Sequence, residues 1–525
     1  MAASALGRLA SGLTCMALAV LSPPHSFGAT SLEGLAAAKF GRLTRAESLM
    51  LRAVPQGDIA WGDAGPDERD PANDPSKAAQ WQHARTIRAD LIRWLYVDPG
   101  ALGMVALTGV RVGGARVEGK LDLSRIKMDL PLELHNCAIP GGVDLSNADV
   151  RLIDFRGSWT GPISGNSLVV RGDLLLRRGF HSDGAIDLTG ARIQGTLSLN
   201  NATVLSQRDL SVVLASATIG GDALFIDFHT NKLVVASLTT IGGNLAFIRA
   251  EFKGGRPYTS GLEAINTRVR GALAWTQIGP KPSDVRLDLT FARVGALADE
   301  AASWPTFLFM NEFVYDKFDE VDETPKDLPS RLTWLAKQPE FRPQPYLQLA
   351  KILAGVGRAD DATTVLILKE RRQREEAARA GQWPVPLFKR GWSWFLRWTI
   401  GYGYLPMRAI GWSAVIVVFG WIIFWRGYRA ALIVPSEKDA CVSFIETGTL
   451  PLHYQPFSSF VYSLETFLPF VDLRQGKHWF PTGRSGRGHR LFAGCLLWYL
   501  RFHILSGWLL STLFVAGFTG LIHRG

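Results

Sequence analysis

The sequence predicts a mainly β solenoid, a right-handed β-helix with helical caps, followed by a helical hairpin and a C-terminal α-helical transmembrane region. Three observations carry this expectation. A short phrase recurs through the middle of the chain, two uncharged apolar runs lie near its end, and a basic, tryptophan-rich segment surrounds those runs.

The phrase is a β-branched residue, any residue, glycine, any residue, then a small or aliphatic residue. It reads VEGKL around Gly119, VRGDL around Gly172, IQGTL around Gly195, IGGDA around Gly221, IGGNL around Gly243 and VRGAL around Gly271. The last five glycines follow one another at steps of 23, 26, 22 and 28 residues. Alternating apolar positions follow each phrase, as in Leu121/Leu123, Leu174/Leu176 and Leu197/Leu199. Alternation of period two means strands with one buried face, and a period above about 20 residues means stacked coils rather than a closed barrel. Leu123, Leu145, Leu176, Leu199 and Phe247 are the expected interior, and the phrase glycines are expected to relieve tight corners.

A coil buries its apolar row only against the next coil, so both ends need caps. Leu32 to Val54 and Trp81 to Tyr96 have helical spacing, with Ile87, Leu91, Ile92 and Leu95 on one face of the second. Beyond Trp304-Pro305 a helical hairpin is expected, Tyr346 to Val356 and Asp360 to Arg379, joined at Gly357-Arg358. Its charged run Lys369 to Glu376 reads as a solvated face.

The apolar runs are Ala409 to Trp425 and Ile504 to Ile522, each bracketed by arginines and near spanning length. Gly507, Ser511, Ala516, Gly517 and Gly520 offer close helix packing in the second. Between the runs, Phe457 to Val471 carries Glu465 and Pro469 and suits a re-entrant or interfacial helix. The whole chain, 525 residues long, has 57 Lys+Arg against 47 Asp+Glu. Of that excess of +10, residues 384–525 supply +9, with 14 basic and 5 acidic side chains, and they hold nine of the 17 tryptophans. Indole rings and cations flanking apolar runs fit a bilayer interface rather than a nucleic-acid groove. The first residues read as a secretory leader: Arg8, the apolar run Gly12 to Leu21, Pro23-Pro24, then small residues at Ser26 and Gly28.

The expected organisation is therefore a signal peptide over 1–28, a helical cap over 29–100, β-helix repeats over 101–300, a C-terminal cap and hairpin over 301–383, and a membrane region over 384–525 with helices near 409–425 and 504–522. Cys15 lies in the leader, and Cys137, Cys441 and Cys495 show no CxxC spacing, so no disulfide framework is expected.

These coils, together with the SWP at Ser303, the PYLQLA…GRADDA hairpin, TIGYGYLP from Thr399 and the C-terminal GWLLSTLFVAGFTGLI, resemble bacterial pentapeptide-repeat-related β-helix membrane proteins. The resemblance runs from about Leu32 to the end. Such sequences are labelled membrane-associated oxidoreductases or uncharacterised, so the resemblance implies an architecture more than an activity.

Motifs for chemistry are few. No GxGxxG follows a strand, and there is neither a GxxxxGK[ST] loop nor an HExxH, so no cofactor, metal or catalytic residue is assigned. His135, His181 and His229 are spaced to form a column on alternate coils. Asp122, Asp144, Asp173 and Asp187 are polar strand positions, and GNSLV around Ser167 lacks the second glycine of a nucleophile elbow. The one filter-like motif is Thr399, Ile400, Gly401, Tyr402 and Gly403, since potassium filters use T-x-G-Y-G. It precedes both spans, however, whereas two-span channels place the filter between them.

The favoured reading is a membrane-anchored interaction or scaffold module of the bacterial envelope. It would sit in the inner membrane with an extracytoplasmic β-helix, partnered by the lipid bilayer and an envelope protein or polysaccharide, with no nucleic acid. The alternatives are a channel-like two-span protein and an enzyme on the β-helix groove, whether an oxidoreductase or carbohydrate-active.

Overall fold

The computed structural model describes residues 31–62, 65, 67–254, 258–279, 281–319, 324–379, 387–452, 454–482 and 490–519, so the expected leader over 1–28 lies outside the described residues. Two compact units divide the chain at Arg208/Asp209.

In the first unit, Ser31 caps helix α1 (Leu32–Phe40). Thr44 and Glu47 close a reciprocal capping box on α2 (Arg45–Ala53). One continuous helix to Val54 does not form because Gly41 takes φ +73 and ends α1. Residues 81–88 also depart from helical expectation. After a 3₁₀ turn at His83–Arg85, the strand Thr86–Arg88 pairs in parallel with Arg116–Glu118, and helix α3 begins only at Ala89 and runs to Val97. Thr86 and Ile87 are β-branched, and the open edge of the first coil offers their backbone a ladder. The expected apolar face, Ile87, Leu91, Ile92 and Leu95, is buried all the same. A one-turn helix α4 (Pro99–Leu102) leads into the coils.

The β region is a solenoid of short parallel strands, four to a coil. Lys127–Met128, Leu132–His135, Ala138–Ile139 and Val143–Asp144 make one circuit. Asp149–Val150, Ile153–Asp154, Trp159–Thr160 and Ile163–Ser164 lie in register over them. Side chains alternate inward and outward, and Leu123, Leu145, Leu176 and Leu199 are all buried as expected. Gly119 apart, the phrase glycines serve a purpose other than corner relief. A Cβ on Gly195 would sit 2.8 Å from the carbonyl oxygen of Gly172 and closer still to Asp173 Oδ1. Among the phrase glycines, only Gly119 has positive φ (+86). Elsewhere the corners are turned by Arg125, Asn136, Asn147, Ser167, Arg178 and Asn201, all left-handed at φ 50–57°. Glycine is needed for close approach between coils, and asparagine tolerates the corner.

The second unit continues the same construction from Leu210–Val213 to Val314–Phe318. Phe225 and Phe247 occupy equivalent places on paired strands and stack at 4.5 Å with an 8° interplanar angle. Gly243 and Gly271 repeat the close approach, their Cβ positions lying 3.0 and 2.8 Å from the carbonyl oxygens of Gly221 and Gly243. Helix α5 (Leu328–Ala336) follows the last strand, and then comes the hairpin of α6 (Pro343–Gly355) and α7 (Ala359–Arg379), turning where expected at Gly357 (φ +81).

The remaining helices are α8 (Leu387–Ile400), α9 (Met407–Arg429), α10 (Lys438–Glu446), α11 (Ser459–Phe467), α12 (Gln475–His478) and α13 (Arg490–Phe518). Two of them, α9 and the Ala493–Phe518 part of α13, are long and apolar enough to cross a membrane. They turn most of their apolar surface outward: Val415, Val418, Phe419 and Ile422 on α9 and Leu505, Trp508, Val515 and Phe518 on α13 are exposed. A core helix of a water-soluble protein does the reverse.

Candidate functional site

Between the two long helices sits a short one. Helix α11 is capped by Ser458, whose hydroxyl accepts from Val461 N, and by Leu468 just before Pro469. It packs on both α9 and α13. Glycines let the three approach: a Cβ on Gly420 would meet Ser463 Oγ at 2.4 Å, and one on Gly507 would overlap the Phe467 carbonyl oxygen at 1.7 Å. Gly507 belongs to the small residues expected at a helix contact; Gly420 does not, because the run's two glycines, Gly411 and Gly420, lie nine residues apart and share no helix face.

Ser463 and His503, both wholly buried, face each other at this crossing. Ser463 Oγ donates to the Val417 carbonyl at 2.8 Å, and His503 Nε2 lies 3.0 Å from the Ser463 carbonyl oxygen. Tyr499 OH lies 3.3 Å from His503 Nδ1. The arrangement assigns the proton to Nε2, with Nδ1 accepting. Ser463 Oγ is also 3.3 Å from Nε2, which brings together the residue types of a nucleophile and its base. Their roles are reversed, since the nitrogen nearest the serine carries the proton and the hydroxyl proton is committed to a backbone carbonyl. The chemistry available is that of a neutral polar knot tying three helices together. Glu465, the charge that sets this segment apart from a span, accepts from Gln475 N (2.7 Å) and Gly476 N (3.1 Å) at the start of α12.

The filter-like residues form the joint between α8 and α9. Thr399 Oγ1 bonds back to the Phe395 carbonyl, and Gly401, Tyr402 and Gly403 take φ +55, +58 and +96. Tyr404 N donates to the Gly401 carbonyl and Leu405 N to that of Ile400. These two carbonyls are spent inside the turn. The Tyr402 ring is buried, with the Arg374 guanidinium 4.3 Å from its centre.

On the solenoid the expected carboxylates act as local caps. Asp122, Asp144 and Asp187 accept from the backbone N–H two residues on, at Ser124, Ser146 and Thr189, and Asp173 accepts from Thr196 N of the following coil. The three histidines do not share a column: His135 lies on a different sheet from His181 and His229. His181 stands over Trp159 and Ala138, so two coils here take 43 residues, and a step of 46 falls back onto the preceding strand, Leu132–His135. His181 contacts Asp183 at 3.0 Å, and its ring lies 4.0 Å from that of Trp159, tilted by 40°. Cys137 is buried, and that burial pushes its thiol up to about 12, which keeps it unreactive. Among the described residues no three His, Cys, Asp or Glu side chains gather as a metal site.

No family model, curated protein or solved structure matches the chain.

Proposed function

We propose that the chain is a membrane-anchored β-solenoid of the bacterial envelope, acting as an interaction or scaffold module, as its resemblance to pentapeptide-repeat-related membrane proteins implies. The observation that carries this is the outward-facing apolar surface of α9 and α13, edged by Trp398, Trp425, Arg408 and Arg426. Such a surface suits lipid and is costly in water. The solenoid it would anchor spends its carboxylates on turns and on ladders such as Lys120–Asp144 and Arg249–Asp227. That leaves regular flat faces suited to contact rather than turnover. Alkaline carbonate washing of membranes tests the anchor: the full chain should stay with the lipid, and a chain ending at Arg379 should wash off. Photocrosslinkers on the exposed solenoid strands test the scaffold role. Discrete adducts confined to one face support it, and their absence from every face opposes it.

A channel-like reading has one observation in its favour, the order of long helix, short helix and long helix in α9, α11 and α13, with α11 packed on both its neighbours. Its proposed filter would be Thr399 to Gly403. Planar-bilayer recording decides: potassium-selective steps abolished by Tyr402→Ala would establish it, and a silent bilayer would oppose it.

A further inference from the structure

The three helices α8, α9 and α13 enclose a groove of about 580 Å³ that the knot at Ser463 and His503 does not touch. Trp394, Trp398, Trp412, Ile416, Phe502 and Leu509 line it, and almost none of its wall is polar. We propose that this groove holds one acyl chain of an anionic phospholipid, whose phosphate rests on Arg397 and Arg408; the proposal rests on the membrane-anchored reading above.

Depth is the first argument. On α13 the wall runs from Phe502 to Leu510, roughly 12 Å at about 1.5 Å per residue. That is most of one leaflet of a hydrocarbon core some 30 Å thick. The groove therefore accommodates most of the length of a single acyl chain. Three indoles line the groove, and the indole of Trp412 donates to the Trp398 carbonyl at 3.1 Å, so the wall keeps no unmet donor there. Such amphipathic rings belong at the level where tails meet headgroups.

Charge selects the headgroup. Arg397 lies one turn from Trp394 on α8, and Arg408 one turn before Trp412 on α9, so each shares a helix face with a groove residue. Both arginines are exposed. No acidic residue occurs between Glu376 and Glu437, nor anywhere after Asp472, so none of the three helices can repel a phosphate. A guanidinium also matches phosphate oxygens in pairs.

Native mass spectrometry of the full chain in a non-ionic detergent tests this, with dioleoylphosphatidylglycerol and dioleoylphosphatidylcholine added in equal amounts. One phosphatidylglycerol per chain should be retained, with a preference of about fivefold per arginine. Arg397→Gln with Arg408→Gln should abolish the preference while leaving a lipid bound. Ser506→Trp, which fills the groove, should remove the adduct. Equal retention of the two lipids, or an adduct indifferent to both sets of changes, would overturn the proposal. Should Ser506→Trp fail to fold, the exposed arginine pair still decides. Carbonate washing of the same membranes separates the two readings. A chain that washes off defeats the anchor and this site together, whereas a chain that stays but shows no selectivity defeats only the site.

Discussion

Arg331 and Asp299 form a two-pronged ion pair with no route to solvent. Arg331 Nη1 and Nη2 donate to Asp299 Oδ2 and Oδ1 at 2.9 and 2.8 Å. The aspartate ends the strand Arg293–Asp299 and the arginine sits in α5, so this contact fixes the helix that follows the last coils. The remaining valences are met: the Trp304 indole donates to Asp299 Oδ2, Arg331 Nε donates to the Pro325 carbonyl, and the guanidinium lies 3.8 Å from the Phe318 ring centre. Removing one partner strands the other charge, which costs about 3–5 kcal/mol, whereas replacing both costs far less. Arg331→Met and Asp299→Leu should each lower the unfolding midpoint sharply, and the double variant should recover much of the loss. Denaturant titration of the three variants checks this.

Leu176 lies wholly inside the first unit's coils. Leu176→Asp would bury a carboxylate with no cation facing it, at a cost of several kcal/mol. Circular dichroism should show lost β signal or a much lower melting temperature. An unchanged melt would count against stacked coils.

Gly195 gives a subtler test. Alanine there must push against the Gly172 carbonyl and Asp173 Oδ1 of the coil before it. The strain should cost about 1–3 kcal/mol. At Gly179, which has φ +87 but open space around it, alanine should cost less, about 1 kcal/mol, from backbone strain alone. The order of the two melting temperatures separates close approach from corner strain.

This distinction marks what the sequence could and could not disclose. The alternation that buries Leu123, Leu145 and Phe247 is a local pattern and reads directly. The purpose of the glycines does not, because the oxygen that excludes a Cβ at Gly195 belongs to a residue 23 positions earlier. The same limit hid Ser463 and His503, which are 40 residues apart and unremarkable until α11 brings them together. The histidine column failed for a related reason. Coils differ in length, from 20 residues between the paired Val143 and Ile163 to 28 between Leu233 and Gly261, so equal spacing along the chain drifts from one face to another.

The buried Glu47 makes the first unit's cap sensitive to acid. Burial pushes its carboxyl up, but hydrogen bonds from the Arg88 side chain and from the Thr44 and Arg88 backbone N–H groups more than offset this, so it titrates below its ordinary range. A depressed folded value stabilises the cap above the unfolded titration, near pH 4.3, and this stability fades as pH falls through the folded value. Hydrogen exchange over 44–53 should accelerate as pH drops below about 4.3, beyond the intrinsic pH trend of exchange. Glu47→Gln should already be fast at neutral pH and should lose that dependence.

The orientation of the membrane region is the last prediction. If the leader is cleaved, the solenoid starts outside, α9 runs inward, the stretch joining α9 to α13 opens to the cytoplasm, and α13 returns outward. Basic residues near the spans should then be richer on that stretch's side. That side has Arg426, Arg429, Lys438, Arg484, Arg487 and Arg490, six in all once Arg501, inside the apolar part of α13, is set aside, against five opposite: Lys389, Arg390, Arg397, Arg408 and Arg524. The bias is small, but it agrees with the orientation that a cleaved leader would impose, and the two arguments share no residue. A pore-forming arrangement calls for the opposite, with α11 entering from outside. Alkaline phosphatase folds only where its disulfides can form, so fusions report the side directly. Placed after Gly525 it should be active, and placed after Gly448, in the segment between the spans, it should be inactive although stably made. The reverse pair of results would put the solenoid in the cytoplasm and favour the channel-like reading.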